Sequence, residues 1–252
     1  TPPQMTGGGL QMGFDNPEYS ETPEPCKELF RPDELGRTIE APYHVETFPD
    51  GREVLVIGDP ERDGQDIHIQ GDNTYGFEGD CGLCSCQGIL NLLGIHLSED
   101  DIVRYAVDHG LCHIDLDPRQ SGGTTLEQQT ELLNDLGVPA HWEVGLSMEQ
   151  LAEYVEQGHY MIAEVNAGVL FDEVQGIGDD PEQSNHAIVI TGVARDLQTG
   201  SIVGFYVNDT GGFCRNSDGS ARGGALVDAA HMKSGWADTG GLCVITEPRR
   251  SG

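Results

Sequence analysis

The stretch Gly79-Asp80-Cys81-Gly82-Leu83-Cys84-Ser85-Cys86-Gln87-Gly88 sets a cysteine where a glycine-bearing loop gives way to an apolar helix. Downstream, Cys86, Ile89, Leu90 and Leu93 recur at i, i+3, i+4 and i+7, a core-facing stripe, and Gly94 stands where a helix C-terminus is capped. Cys81 therefore opens the helix. At such a position the unpaired backbone N–H groups and the positive end of the macrodipole make a thiol a better nucleophile, provided that a base lies nearby. A cysteine-rich buried helix fits the same residues, because free cysteine also packs as a small hydrophobe.

Composition narrows the roles. The chain of 252 residues carries 13 basic and 43 acidic side chains, a formal charge of −30, which repels nucleic-acid phosphates and anionic membrane surfaces. Nucleic acid and membrane are thus not expected partners; a basic partner or substrate would be steered toward such a surface. No apolar run reaches the length of about 18 residues that a transmembrane helix needs, and the N-terminus lacks a signal-peptide pattern. The chain opens on Thr1-Pro2-Pro3 rather than methionine, which points to a processed chain or, the favoured reading, a piece excised from a longer protein. Seven cysteines, at 26, 81, 84, 86, 112, 214 and 243, are an odd number and predict reduced thiols where the protein works. Cys81 and Cys84 also form a C-x-x-C, but no second such pair or nearby paired histidine completes a zinc site, and no metal or cofactor is expected.

Residues 1–40, rich in Pro, Gly, Glu and Thr, read as a linker or loose arm ahead of a domain over residues 41–252. Within it, Tyr43 to Phe48 and Arg52 to Gly58 flank Asp50-Gly51 and predict a hairpin. A long polar loop over residues 59–80 then leads to Cys81. Three helices follow, started by Ser98, by Thr124 or Thr125, and by the capping box of Ser147 and Gln150. Beyond Gly158 the pattern changes to short apolar runs at 160–165, 187–193, 202–207 and 242–246, which read as strands. Helices carrying the cysteine and then strands with turns between them make an α+β fold.

A thiol nucleophile needs an imidazole to take and return a proton, and a third polar group to orient the ring. Among nine histidines, His186 stands directly at the start of the apolar strand Ala187-Ile188-Val189-Ile190. The strand Phe205-Tyr206-Val207 ends in Asn208-Asp209-Thr210-Gly211, and the Thr199-Gly200 turn before it makes the two strands a hairpin. The end of the second strand is thereby brought beside the start of the first. Asp209, or alternatively Asn208, is then placed to accept the hydrogen bond from the far side of the His186 ring; taken alone, that tetrapeptide also reads as a simple turn.

Asp80-Cys81-Gly82 at a helix start, Ser184-Asn185-His186-Ala187-Ile188-Val189-Ile190, and Val207-Asn208-Asp209 at a strand end resemble the catalytic segments of papain-like cysteine peptidases. The bacterial double-glycine peptidases that cut leader peptides are similar also in Gly122-Gly123-Thr124-Thr125, in Leu136-Gly137-Val138 and in the strand around Met161-Ile162-Ala163, and the resemblance spans residues 70–247. It implies a papain-like fold, with a helical part bearing the nucleophile packed on an antiparallel sheet bearing His and Asp. It also implies a protein or peptide substrate cut after glycine, with Cys81 as nucleophile, His186 as general base and acid, and Asp209 as the orienting residue. The family places a glutamine a few residues before the cysteine to help bind the oxyanion; here Tyr75 occupies that neighbourhood, and Gln70 and Asn73 are the nearest amides. Without a membrane span or a phosphate-binding loop, the chain looks more like the warhead of a bacterial toxin or secreted effector, delivered into the reducing cytoplasm of a target cell and blocked by a cognate immunity protein in its producer. A cell-wall peptide amidase is the alternative enzyme, and a binding module on a dead peptidase scaffold the alternative class.

Overall fold

In the computed structural model, which describes residues 39–172 and 180–249, the hairpin is formed by β1 (Tyr43–Thr47) and β2 (Glu53–Gly58), paired antiparallel with Thr47 opposite Glu53. Its turn works because Gly51 adopts φ +83°, a left-handed conformation that costs glycine nothing. The expected arm over residues 1–40 falls, except for Ile39 and Glu40, outside the described residues, as does Cys26. The N–H groups of Glu40 and Ala41 both donate to the Glu156 carbonyl, at 2.8 and 3.0 Å. The loop toward Cys81 begins with a short helix, α1 (Pro60–Asp63), started by Asp59, whose carboxylate accepts from the Arg62 N–H.

Three helices then build one side of the domain: α2 (Cys81–Leu92), α3 (Glu99–His109) and α4 (Leu126–Asp135). The spacing of their caps is observed as reciprocal hydrogen bonds, Ser98 with Asp101 and Thr125 with Gln128. A strand that the sequence reading did not contain follows, β3 (Ala140–Glu143). Then come α5 (Met148–Glu156), capped by Ser147 and Gln150, β4 (Met161–Val165), α6 (Ala167–Leu170), β5 (His186–Asp196), β6 (Ile202–Asn208), β7 (Ala225–Asp228), α7 (Ala229–Met232) and β8 (Cys243–Thr246).

The sheet is antiparallel throughout and is organised by β5. Residues 186–190 of β5 pair with β4, residues 192–196 pair with β2, and β6 runs along the opposite edge from Val189–Asn208 to Arg195–Ile202. β8 extends the sheet beyond β4, and β3 closes that edge by pairing with β8. Because β5 is covered on both faces, Ala187 to Ile190 form a continuous apolar run instead of an alternation of apolar and polar residues. Ala187 and Val189 meet α2, α3 and α4 through Leu83, Ile89, Leu90, Ile102, Leu132 and Leu133, while Ile188 and Ile190 join Leu55, Leu151, Met161, Phe205 and Trp236 on the other face. The result is the expected α+β arrangement, in which the cysteine-bearing helix lies across the strand that begins with His186.

Candidate active site

Cys81 is the first residue of α2 and remains partly exposed, whereas Cys84 and Cys86 are buried. The next position must be glycine: a Cβ on Gly82 would collide with Thr124 Oγ1 and lie 2.7 Å from Gln129 Nε2. Close seating of the helix start against the 122–129 segment therefore fixes where Cys81 points. Burial pushes the Cys84 and Cys86 thiols well up, with the carboxyls of Asp80 and Glu99 adding to the effect at Cys84 and Glu164 at Cys86. The three cysteines of one helix are thus chemically unequal. All six described cysteines are free thiols.

His186 and Asp209 meet because of strand register. Val165 lies opposite His186 and Val189 opposite Asn208, so the chain leaves β6 alongside the start of β5. His186 Nε2 is 2.6 Å from Asp209 Oδ1, with the imidazole 7% and the carboxylate 0% exposed. The carboxylate is itself fixed, since Oδ1 accepts the Gly211 N–H at 3.0 Å and Oδ2 the Phe213 N–H at 2.7 Å. The Phe213 ring stands edge-on to His186, centroids 5.5 Å apart, and stacks on Phe171 at 5.1 Å. Cys81 lies close enough to His186 to act on the charge of the imidazole. With Nε2 engaged by Asp209, Nδ1 is the nitrogen left for the sulfur.

Electrostatics follow from these contacts. Burial disfavours a charged ring, but the hydrogen bond with Asp209 and the influence of Cys81 outweigh it and raise the His186 pKa to about 10. Burial likewise opposes the Asp209 charge, and the hydrogen bond from His186 with the two backbone N–H groups holds that carboxyl below its ordinary value. These contacts favour the charged form of both groups.

The choice between Asp209 and Asn208 is decided by where each side chain goes. Asn208 turns the other way, donating to the Asp63 carbonyl at 2.8 Å and accepting the Gly224 N–H at 2.8 Å. The two candidate amides also separate. Asn73 is engaged with the Phe77 carbonyl at 2.8 Å and Glu99 Oε1 at 2.9 Å. Gln70 spans the site: its Nε2 donates to the Glu78 carbonyl, just before Cys81, and its Oε1 accepts from Thr210 Oγ1, just after Asp209.

Three groups near the site were given no chemical role by the sequence reading. Glu164 on β4 accepts from Gln129 at 2.6 Å, and burial raises its carboxyl to about 7 against the influence of Gln129 and His186. Asp80 stands directly before Cys81, and Glu99 directly after Ser98 at the start of α3. Their carboxyls and the Cys84 sulfur come within 4.8 Å of one another, and this is the one grouping of potential metal ligands among the described residues. Glu99 already accepts four hydrogen bonds, from His68, Gly71, Asp72 and Asn73, so its carboxylate is occupied by protein donors.

No protein-family model matches the chain, and no curated protein matches it. Solved structures that are similar to it include a double glycine motif protease from an AMS/PCAT transporter in complex with its leader peptide. That match has 16% identity and a TM-score of 0.45, and covers 73% of this chain and 91% of that one. A C39-like peptidase from Bacillus anthracis is similar at 14% identity and TM-score 0.47, covering 74% of this chain and 100% of that one. The peptidase domain of Streptococcus ComA, a bifunctional ABC transporter, is similar at 15% identity and TM-score 0.44, covering 73% of this chain and 98% of that one.

Proposed function

We propose that the domain is a cysteine endopeptidase in which Cys81, His186 and Asp209 carry the chemistry. The observation behind this reading is their convergence: a partly exposed thiol at a helix N-terminus, an imidazole whose charge that thiol influences, and a buried carboxylate 2.6 Å behind the ring. The Cys81 sulfur attacks the peptide carbonyl carbon, and His186, having taken the thiol proton, gives it to the nitrogen as the C–N bond breaks. A water, losing its proton to the ring, then attacks the thioester and releases the acid and the free thiol. Asp209 keeps Nε2 in place and its charge supports the imidazolium. Cleavage after glycine belongs to the same proposal.

A peptide aldehyde ending in glycine tests the chemistry, because it forms a hemithioacetal only with a competent nucleophile. Adduct on Cys81, absent after Cys81→Ala and slowed after Asp209→Ala, is the expected result; labelling spread over Cys214 and other thiols would overturn it. We further propose that the domain acts in a reducing cytoplasm as a delivered toxin held in check by an immunity protein. Expression in bacteria should then arrest growth in a manner abolished by Cys81→Ala, and equal toxicity of the two proteins would count against it.

A further inference from the structure

Asp80 occupies the N-cap of α2, where an aspartate ordinarily accepts hydrogen bonds from the helix's own first N–H groups. Here it makes no such bond. Its carboxyl is 0% exposed, packed so closely that a Cβ on Gly122 would lie 2.8 Å from Asp80 Cβ. Oδ2 takes the Cys84 thiol at 3.6 Å, Oδ1 has no hydrogen-bond partner, and an oxygen of the Asp80 carboxyl lies within 4.8 Å of one of Glu99.

Glu99, at 2% exposure, has the opposite surroundings. Its Oε1 accepts the Gly71 N–H at 2.8 Å and Asn73 Nδ2 at 2.9 Å; its Oε2 accepts His68 Nε2 at 2.6 Å and the Asp72 N–H at 3.0 Å. Four donors converging on two oxygens suit an ionised carboxylate. Two buried carboxyls this close do not both ionise, so the single proton belongs on the one with fewer donors, Asp80, which has only the Cys84 thiol.

We propose that Asp80 is a positioning residue: protonated at neutral pH, it donates a hydrogen bond to Glu99 and so fastens the 68–73 loop to the helix start that presents Cys81. Losing that proton sets two charges against each other and releases the loop, giving the enzyme an alkaline limit separate from the one set by His186. The effect on rate rests on the peptidase reading, whereas the location of the proton does not. Burial first, and then the hydrogen bond and charge of Glu99, raise the Asp80 carboxyl to about 8. At Glu99 burial opposes ionisation, but hydrogen bonds from Asp80, His68, Asn73 and Gly71 hold the carboxyl well below its ordinary value. The titratable groups facing the pair are the Cys84 thiol from α2, the Cys112 thiol, raised by burial and by Asp80, and the His68 imidazole from the loop. Asp100, next along α3, turns instead to the Thr74 N–H.

The loop it holds also carries Gln70, which bridges Glu78 and Thr210 across the site, so the proton on Asp80 bears on both sides of the cleft.

Asp80→Asn tests this, since the amide keeps a donor toward Glu99 and an acceptor for Cys84 but cannot ionise. In the wild type, kcat/KM should fall about tenfold per pH unit above the Asp80 transition. In Asp80→Asn that limb should vanish, leaving only the one near the His186 pKa of about 10. Asp80→Ala should be slower across the whole range. An infrared difference spectrum of wild type minus Asp80→Asn at neutral pH should show a protonated-carboxyl stretch, from which the Glu164 contribution cancels, and the same difference should appear in a Cys81→Ala background. An unchanged alkaline limb in Asp80→Asn, or no protonated-carboxyl band, would overturn the proposal. Absence of peptidase activity with the band present would instead count against the peptidase reading alone.

Discussion

His186 Nε2 and Asp209 Oδ1 stand 2.6 Å apart, across a sheet register that places the end of β6 beside the start of β5. The pair is not a surface contact that salt would dissolve: both side chains are buried, and Asp209 is held by two further N–H donors. An asparagine cannot reproduce this. Its one oxygen serves either His186 and Gly211 or Phe213, and its NH2 group then confronts a donor.

Asp209→Asn should therefore lower kcat by on the order of 10²- to 10⁴-fold, the range expected when the orienting carboxylate of such a triad is neutralised. The His186 pKa should fall in parallel. Proton NMR of the ring across pH, together with steady-state rates, checks both; a fully active variant with an unmoved imidazole titration would separate Asp209 from the chemistry.

Gly211 reads the same geometry sterically. A Cβ there would sit 2.8 Å from His186 Cε1 and 3.0 Å from Phe213 Cε2. Gly211→Ala should displace the ring from Asp209 and depress activity far more than stability, which should drop by roughly 1–3 kcal/mol, as overpacking usually costs. Rates and urea midpoints measured on one preparation make the comparison.

Gln70 and Asn73 should part company. If the remaining Gln70 N–H serves the oxyanion, Gln70→Ala lowers kcat by about 10²- to 10³-fold with little change in KM. Asn73→Ala, which cuts bonds to Phe77 and Glu99, should mainly destabilise the loop and lower the melting temperature. Equal kcat in wild type and Gln70→Ala would remove Gln70 from that role.

Stability should vary with pH in a defined sense. The raised His186 pKa contributes stability that is full below its unfolded value of about 6.5 and is lost as pH rises through about 10. The lowered Asp209 pKa contributes stability present above about 3.9 and lost as pH falls through its native value. Asp80 acts oppositely to Asp209: between about 3.9 and the raised value of about 8 the native state holds a proton the unfolded chain has lost, so stability declines with rising pH there. Urea midpoints of wild type compared with His186→Ala and with Asp80→Asn, measured across pH, isolate the two slopes.

Much of this was legible in the sequence, for local reasons. The caps at Ser98, Thr125 and Ser147 are three-residue signals and occur where spacing puts them. The β5–β6 pairing follows from two apolar runs and a short turn, and it brings His186 and Asp209 together. β3 was missed because Ala140-His141-Trp142-Glu143 has no β-branched run, and it becomes a strand only by pairing with β8, a hundred residues later in the chain. Glu99 lies in the first turn of α3, but its carboxylate turns inward to partners 26 to 31 residues away, which periodicity does not encode. Asp80 shows the same limit: an N-cap residue type is readable, but the burial that diverts its side chain from capping is not.

The central claim is that Cys81 cuts peptide bonds with the help of His186 and Asp209. It is tested most directly by incubating the wild-type domain and Cys81→Ala with an unfolded protein mixture under reducing conditions and identifying new N-termini by mass spectrometry. The account predicts new termini, clustered after glycine, with the wild type and none above background with Cys81→Ala; the same set of termini from both proteins, or none from either, would contradict it.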